Sequence, residues 1–176
     1  MTRYVALLRG INVGGNRRVP MAQLRELAES IGLDDVSTYI ASGNLLFGST
    51  AGEGALTKKL RAALHKEFCF AIDVVVVSQK HLAEALGDCP FDGDPKQVVV
   101  TFLSEPYDAG AREAIERLAT GDERVEFGPP KARWLYVDYA GGLARSKLAN
   151  KMHSVGTSGY ATTRNLATVR KLVALG

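Results

Sequence analysis

Cysteine is nearly absent from this sequence: Cys69 and Cys89 are the only two in 176 residues. They are too far apart for a CxxC motif and too few for a disulfide framework. That excludes a small disulfide-stapled secreted domain and suits a reducing compartment. With no cluster of basic neighbours to activate them, both are expected to be buried. Proline is scarce, at 6 residues, and the 18 glycines fall well short of a disordered or collagen-like composition. Long apolar runs are also missing. The opening MTRYVALLRG offers an apolar run of five residues that ends at Arg9, too short for the core of a signal peptide. No later stretch approaches the roughly 18 apolar residues of a membrane span. A cytoplasmic protein with no membrane partner is expected. What is present is ordinary for a globular chain, 46% hydrophobic and 23% charged. At this length roughly 70% of the unfolded surface can be buried, so a core needs no metal or disulfide to hold it.

Acids are missing from both ends. Residues 1 to 25 hold Arg3, Arg9, Arg17, Arg18 and Arg25 with no acid, a charge of +5. Residues 139 to 176 hold Arg145, Lys147, Lys151, Arg164, Arg170 and Lys171, again with no acid, a charge of +6. The remaining 11 bases and all 19 acids fall in residues 26 to 138, a net −8. Should the termini converge, as they often do in compact domains, these cations share one face and concentrate anions near it. The alternative is that the basic ends neutralise the acidic middle through surface pairs.

Hydrophobic periodicity gives the order of elements. A β-branched and apolar run, Arg3 to Leu8, enters a loop rich in Gly and Asn, Gly10 to Arg18. Pro20 and the spacing of Leu24, Leu27, Ala28 and Ile31 predict a helix that stops at Gly32. Val36 to Ala41 and Leu45 to Phe47 flank Ser42-Gly43-Asn44, a hairpin turn. Leu56, Leu60, Leu64 and Phe68 mark a second helix, and Ile72 to Val77 reads as a strand buried on both faces. The order βαββαβ is that of a ferredoxin-like plait. A helix from Gln79 to Leu86 and the turn-rich CPFDGDP segment then act as a connector. Val98 to Leu103, Ala109 to Ala119, Arg124 to Phe127 and Arg133 to Tyr139 repeat βαββ, which points to an internal duplication of pattern. A short helix, Lys147 to His153, and a closing helix, Thr163 to Leu175, follow, with no final strand evident. The fold class expected is α+β: two ferredoxin-like halves, 1–90 and 91–176, the second incomplete and ending in helices.

Three segments, LLRGINVGGNRRVPM at Leu7 to Met21, TYIASGNLLF at Thr38 to Phe47 and ATTRN at Ala161 to Asn165, resemble a bacterial family designated domain of unknown function 1697 and occur in its order. The resemblance spans nearly the whole chain. It implies a cytosolic α+β protein and brings no activity, cofactor or catalytic residue with it.

Gly10 and Gly15 have the spacing and context of a phosphate-binding P-loop, but Asn16-Arg17 stands where Lys and Ser/Thr belong. The phosphate lysine and the Mg²⁺-binding hydroxyl are therefore missing. A cradle of exposed amides beside Arg9, Asn12, Arg17 and Arg18 remains, without hydrolytic machinery. At the other end, Thr162-Thr163-Arg164-Asn165 reads as the start of the closing helix. A cation such as Arg164 in a first turn opposes the helix dipole unless it meets an anion or an acid. Lys147 and Lys151, four apart, place like charges on one helical face behind Arg145.

Conventional catalytic sets are not found. His65, His81 and His153 lie in three separate predicted helices with no zinc-binding spacing, Ser158 is not in a GxSxG elbow, and Asp92-Gly-Asp94 lacks the calcium-loop glutamate, since Leu103 stands in its register. No metal and no cofactor are expected, and no general base can be nominated, so the reaction, if there is one, stays open. Three functional readings follow. The first is a small anionic ligand, bearing phosphate or carboxylate, held where the Gly10–Arg18 loop and the Thr162–Asn165 helix start meet. Arg9, Arg17, Lys147 and Arg164 would supply charge there, and Asn12 and Asn165 orientation. The second is nucleic acid on a basic face, against which stand the few aromatics, 7% of the chain. The third is a protein-interaction module that docks an acidic partner.

Overall fold

A computed structural model of the chain describes residues 1–15, 17–140, 142–143, 146–152, 155 and 159–176. The described residues form eight strands and six helices. They divide into two compact units, Met1–Leu82 with Leu172–Gly176, and Ala83–Lys171. The chain passes between them within two helices, α3 (Gln79–Gly87) and α6 (Leu166–Ala174). Among the described residues no helix is long and apolar enough to cross a membrane.

In the first unit β1 (Thr2–Leu8), α1 (Met21–Ser30), β2 (Asp34–Tyr39), β3 (Asn44–Ser49), α2 (Glu53–Phe68) and β4 (Val74–Ser78) give a four-stranded antiparallel sheet in the order β2-β3-β1-β4. This is the plait order that the sequence predicts. Alternate residues of β1 explain its core: Tyr4, Ala6 and Leu8 share a cluster with Leu24 and Ala28 of α1 and with Leu56, Leu60 and Leu64 of α2. Helical spacing at 24 and 28, and at 56, 60 and 64, turns one face of each helix onto the sheet. Val5 and Leu7, pointing the other way, are buried as well, and so β1 reads as an unbroken apolar run. Two polar groups tie the helical layer to the sheet. The Val76 amide donates to Thr57 Oγ1 at 3.3 Å, and Glu53 Oε1, in the first turn of α2, accepts from the Ser78 amide at 2.6 Å and lies 2.8 Å from His81 Nδ1. The last residues of the chain also belong here: Gln79 Nε2 donates to the Leu172 carbonyl at 3.2 Å.

The second unit repeats the plan. β5 (Val98–Leu103), α4 (Ala109–Leu118), β6 (Arg124–Phe127), β7 (Trp134–Asp138), α5 (Lys147–Lys151) and β8 (Ala161–Asn165) form an antiparallel sheet ordered β6-β7-β5-β8. Position for position this matches the first sheet, so the duplication inferred from pattern extends to topology. Val99, Leu103, Ile115, Leu135, Val137, Leu148 and Met152 make its core. Two of its buried polar side chains are linked in series: Trp134 Nε1 donates to the Tyr136 hydroxyl, which donates to the Ala85 carbonyl, both at 2.8 Å. Asp138, nearly buried, meets Arg124 Nη2 at 2.6 Å.

Three expectations are corrected. A fourth strand closes the second sheet where none was evident. The segment Ala161–Asn165 is that strand and not the first turn of a helix, which begins at Leu166. The physical reason is the threonine pair. Both threonines suit a strand as well as a cap, and the pairing with β5 decides the matter, Thr163 Oγ1 lying 3.0 Å from Thr101 Oγ1. Cys69 and Cys89 are not buried: Cys69 is exposed and Cys89 half-buried. Cys69 adopts a left-handed conformation (φ 59°) at the end of α2, where the chain leaves the core. The expected helix through His153 is described only over Lys147–Lys151; His153, Arg145, Ser158 and Asn16 lie outside the described residues.

Candidate functional site

The glycine-rich loop of the first unit is fixed at both feet. At the end of β1, the Leu8 amide donates to the Gly43 carbonyl at 2.8 Å and the Arg9 amide to the Asp73 carbonyl at 2.9 Å. Gly10 then turns the chain out of the sheet with φ +67°. Ile11 and Val19 are each 1% exposed, two apolar anchors with an exposed arch between them. Burying such side chains is worth about 1.5–3 kcal/mol each, enough to pin an otherwise hydrophilic segment.

Asn12 braces the arch from inside. Its Nδ2 donates to the Val19 carbonyl at 2.9 Å and to the Ala41 carbonyl at 2.8 Å, while its Oδ1 accepts from the Val19 amide at 2.8 Å. Its own amide donates to the Arg17 carbonyl at 3.1 Å, which closes the loop. Both amide hydrogens are thus spent on the protein, a bracing role where the sequence suggested a ligand-orienting one. The hairpin turn beneath leaves no slack. A side chain on Gly43 would begin 2.8 Å from both Ile11 Cδ1 and Leu8 Cβ.

Above this frame the arch is open. Gly14 and Gly15 take φ of +63° and +79°, with no atom within 4 Å of where a side chain would start. Arg17 folds back so that its Nη1 lies 3.7 Å from the corresponding point on Gly10. Arg17 and Arg18 are exposed and Arg9 half-buried. Two apolar side chains stand out at the same end of the unit, Val13 at 70% and Ile40 at 50% exposure, and Ile40 has the left-handed φ of 50° that a β-branched residue rarely takes.

The other nominated residues lie in the second unit. Arg164 sits on β8 opposite Val100, its Nη1 donating to Thr162 Oγ1 at 3.0 Å and to the Thr163 carbonyl at 2.9 Å. Burial pushes its pKa down to about 10. Asn165 caps α6, its Oδ1 accepting from the Thr168 amide at 2.8 Å. Lys147 and Lys151 are exposed on α5. The structure thus gathers Asn12 and Arg17 in one loop, and Arg164 with Asn165 at one strand-to-helix junction.

Comparison with known proteins follows the fold closely. Residues 1–132 match the model of a family described as protein of unknown function (DUF1697). Among solved structures, the conserved bacterial protein SP0830 from Streptococcus pneumoniae is similar, with 29% identity and a TM-score of 0.79 over 99% of this chain and 98% of that one. No curated protein matches the chain.

Proposed function

We propose that this chain, which belongs to the DUF1697 family of proteins of unknown function, binds a small phosphate- or carboxylate-bearing anion at its Gly10–Arg18 loop. One observation carries the reading: among the described residues no carboxylate pairs with Arg9, Arg17 or Arg18. Cations on a slack loop are simply solvated. This arch is held by Ile11, Val19 and the Asn12 brace, so an arriving anion meets a backbone already in place and has only the arginine side chains to order. The consecutive left-handed glycines leave the crest of the arch exposed with no side chain to cover its backbone, and bare backbone amides can contribute to an anion site. The arginines add charge-assisted, bidentate donors. The reading rests on this loop alone and asks nothing of Lys147, Arg164 or Asn165. Two unpaired cysteines, one of them exposed, support a cytoplasmic location, where thiols stay reduced.

Thermal unfolding with phosphate, sulfate, nucleotides and short oligonucleotides at two salt concentrations tests the proposal. Binding to the folded state alone stabilises it by about 2.7 kcal/mol at a hundredfold excess over Kd. The expected result is a higher Tm with one class of small anion, lost in the Arg17→Ala/Arg18→Ala double variant, whose Tm without ligand stays that of the parent. No response to any small anion overturns the reading. So does a response to oligonucleotides only, with a steep salt dependence.

A further inference from the structure

A second basic hollow lies on the same unit, on the outer face of α2, and owes nothing to the loop. It is an open hollow of about 400 Å³ lined by Lys58, Arg61, Ala62, His65, Ala71 and Ile72. Its origin is helical spacing. Positions 58, 61, 62 and 65 stand at i, i+3, i+4 and i+7, one stripe of the helix surface. Lys58 and Arg61 stand one turn apart as a like-charge pair at a small cost to the helix, and the His65 imidazole follows one turn further on. The other wall comes from the end of α2. Cys69, left-handed and with its amide bonded to the His65 carbonyl at 3.0 Å, reverses the chain so that Ala71 and Ile72 return beside the helix. Ala62 and Ala71 are small enough to leave the space open, and Ile72, 1% exposed, gives it an apolar floor. Asp73, which follows, lies 3.9 Å from Arg61 Nη2 and holds that guanidinium at the wall.

We propose that this hollow binds a small organic phosphate, the phosphate set against Lys58, Arg61 and His65 and a compact apolar ester group resting on Ala62, Ala71 and Ile72. The size is that of a ligand pocket, apolar beneath with a few convergent polar groups at the rim. Arginine's planar fork meets two oxygens of a phosphate at once, and lysine adds a point charge. Aryl or short alkyl esters fit this division better than inorganic phosphate, which leaves the floor wet.

The test uses phenyl phosphate, inorganic phosphate and phenol as probes of the full chain, followed by amide chemical shifts in NMR. Phenyl phosphate is expected to shift the amides of Ala62, His65, Ala71 and Ile72 saturably, and more tightly than either fragment. Arg61→Ala is expected to weaken it at least tenfold. Lys58→Ala, at an exposed position, is expected to weaken it severalfold and serves if Arg61→Ala does not fold. Phenol binding as tightly as phenyl phosphate, shifts confined to other residues, or unchanged affinity in a folded variant would each overturn the proposal. The Arg17→Ala/Arg18→Ala double variant is expected to keep these shifts, so failure here and failure of the loop reading are told apart.

Discussion

Replacing Asn12 tests whether the glycine-rich loop is a built frame. The side chain makes three hydrogen bonds, two of them part-buried at Val19 and one exposed at Ala41. A bond of this kind contributes about 0.5–1.5 kcal/mol net, with the exposed one at the low end. The backbone there is left-handed, at φ 55°. Asparagine tolerates that region, whereas alanine pays about 1–2 kcal/mol for it. Asn12→Ala therefore costs roughly 2.5–5.5 kcal/mol, and Asn12→Gly, which removes the bonds but relieves the backbone, about 1–2 kcal/mol less. Urea unfolding gives the total. Amide exchange at Val19, whose proton is held by Asn12 Oδ1, reports the loop itself. Val19 should exchange faster in both variants. An Asn12→Ala protein within about 0.5 kcal/mol of the parent, or a glycine variant less stable than the alanine one, would refute the bracing role.

The turn beneath the loop gives a second prediction. Gly43→Ala, with φ +92° and two atoms 2.8 Å from its new methyl, should cost about 2–4 kcal/mol, and Gly14→Ala, left-handed but in open space, about 1 kcal/mol; equal losses in urea unfolding would contradict the close packing. A third concerns alkaline pH. Burial raises the Tyr139 phenol well above its ordinary range, so the unfolded chain loses that proton near pH 10 while the native one keeps it. The stability this tyrosine contributes is present below pH 10 and drains away above it, by about 1.4 kcal/mol per pH unit. Tyr139→Phe should fall less steeply between pH 9 and 11 by about that amount; parallel curves would show the phenol ionising freely in the native protein. Arg164, depressed to about 10 by burial, acts in the opposite sense and cancels in the comparison.

Much of the architecture was legible because it follows from period. The alternation in β1 and the four-residue steps of α2 are properties of single segments, and the turn glycines punctuate them. The Ala161–Asn165 strand was not, because Thr-Thr-Arg-Asn satisfies the rules for a helix cap and for a strand, and only its pairing with β5, some sixty residues earlier, decides between them. The candidate sites divide in the same way. The exposed, basic character of the Gly10–Arg18 loop could be read directly. That Asn12 turns its amide inward could not, since its partners Val19 and Ala41 become neighbours only when the hairpin packs against the loop. The hollow on α2 went unread because His65 looked solitary in a linear search for metal spacing. Its companions are a lysine and an arginine on the same helical stripe, and the opposite wall exists only because Cys69 reverses the chain.

The first unit is assembled from both extremities of the chain, with Gln79 bonded to a carbonyl 93 residues further on. On the ribosome, Met1–Leu82 emerges while the segment that completes it is still unsynthesised, so the nascent plait must wait, with that place vacant, until the whole second unit has been translated. Closure over so long an interval is entropically late and depends on the second unit folding promptly. Mutations confined to residues 83–171 that delay its folding therefore prolong the exposure of the first unit to proteases and chaperones, although they touch none of its own residues.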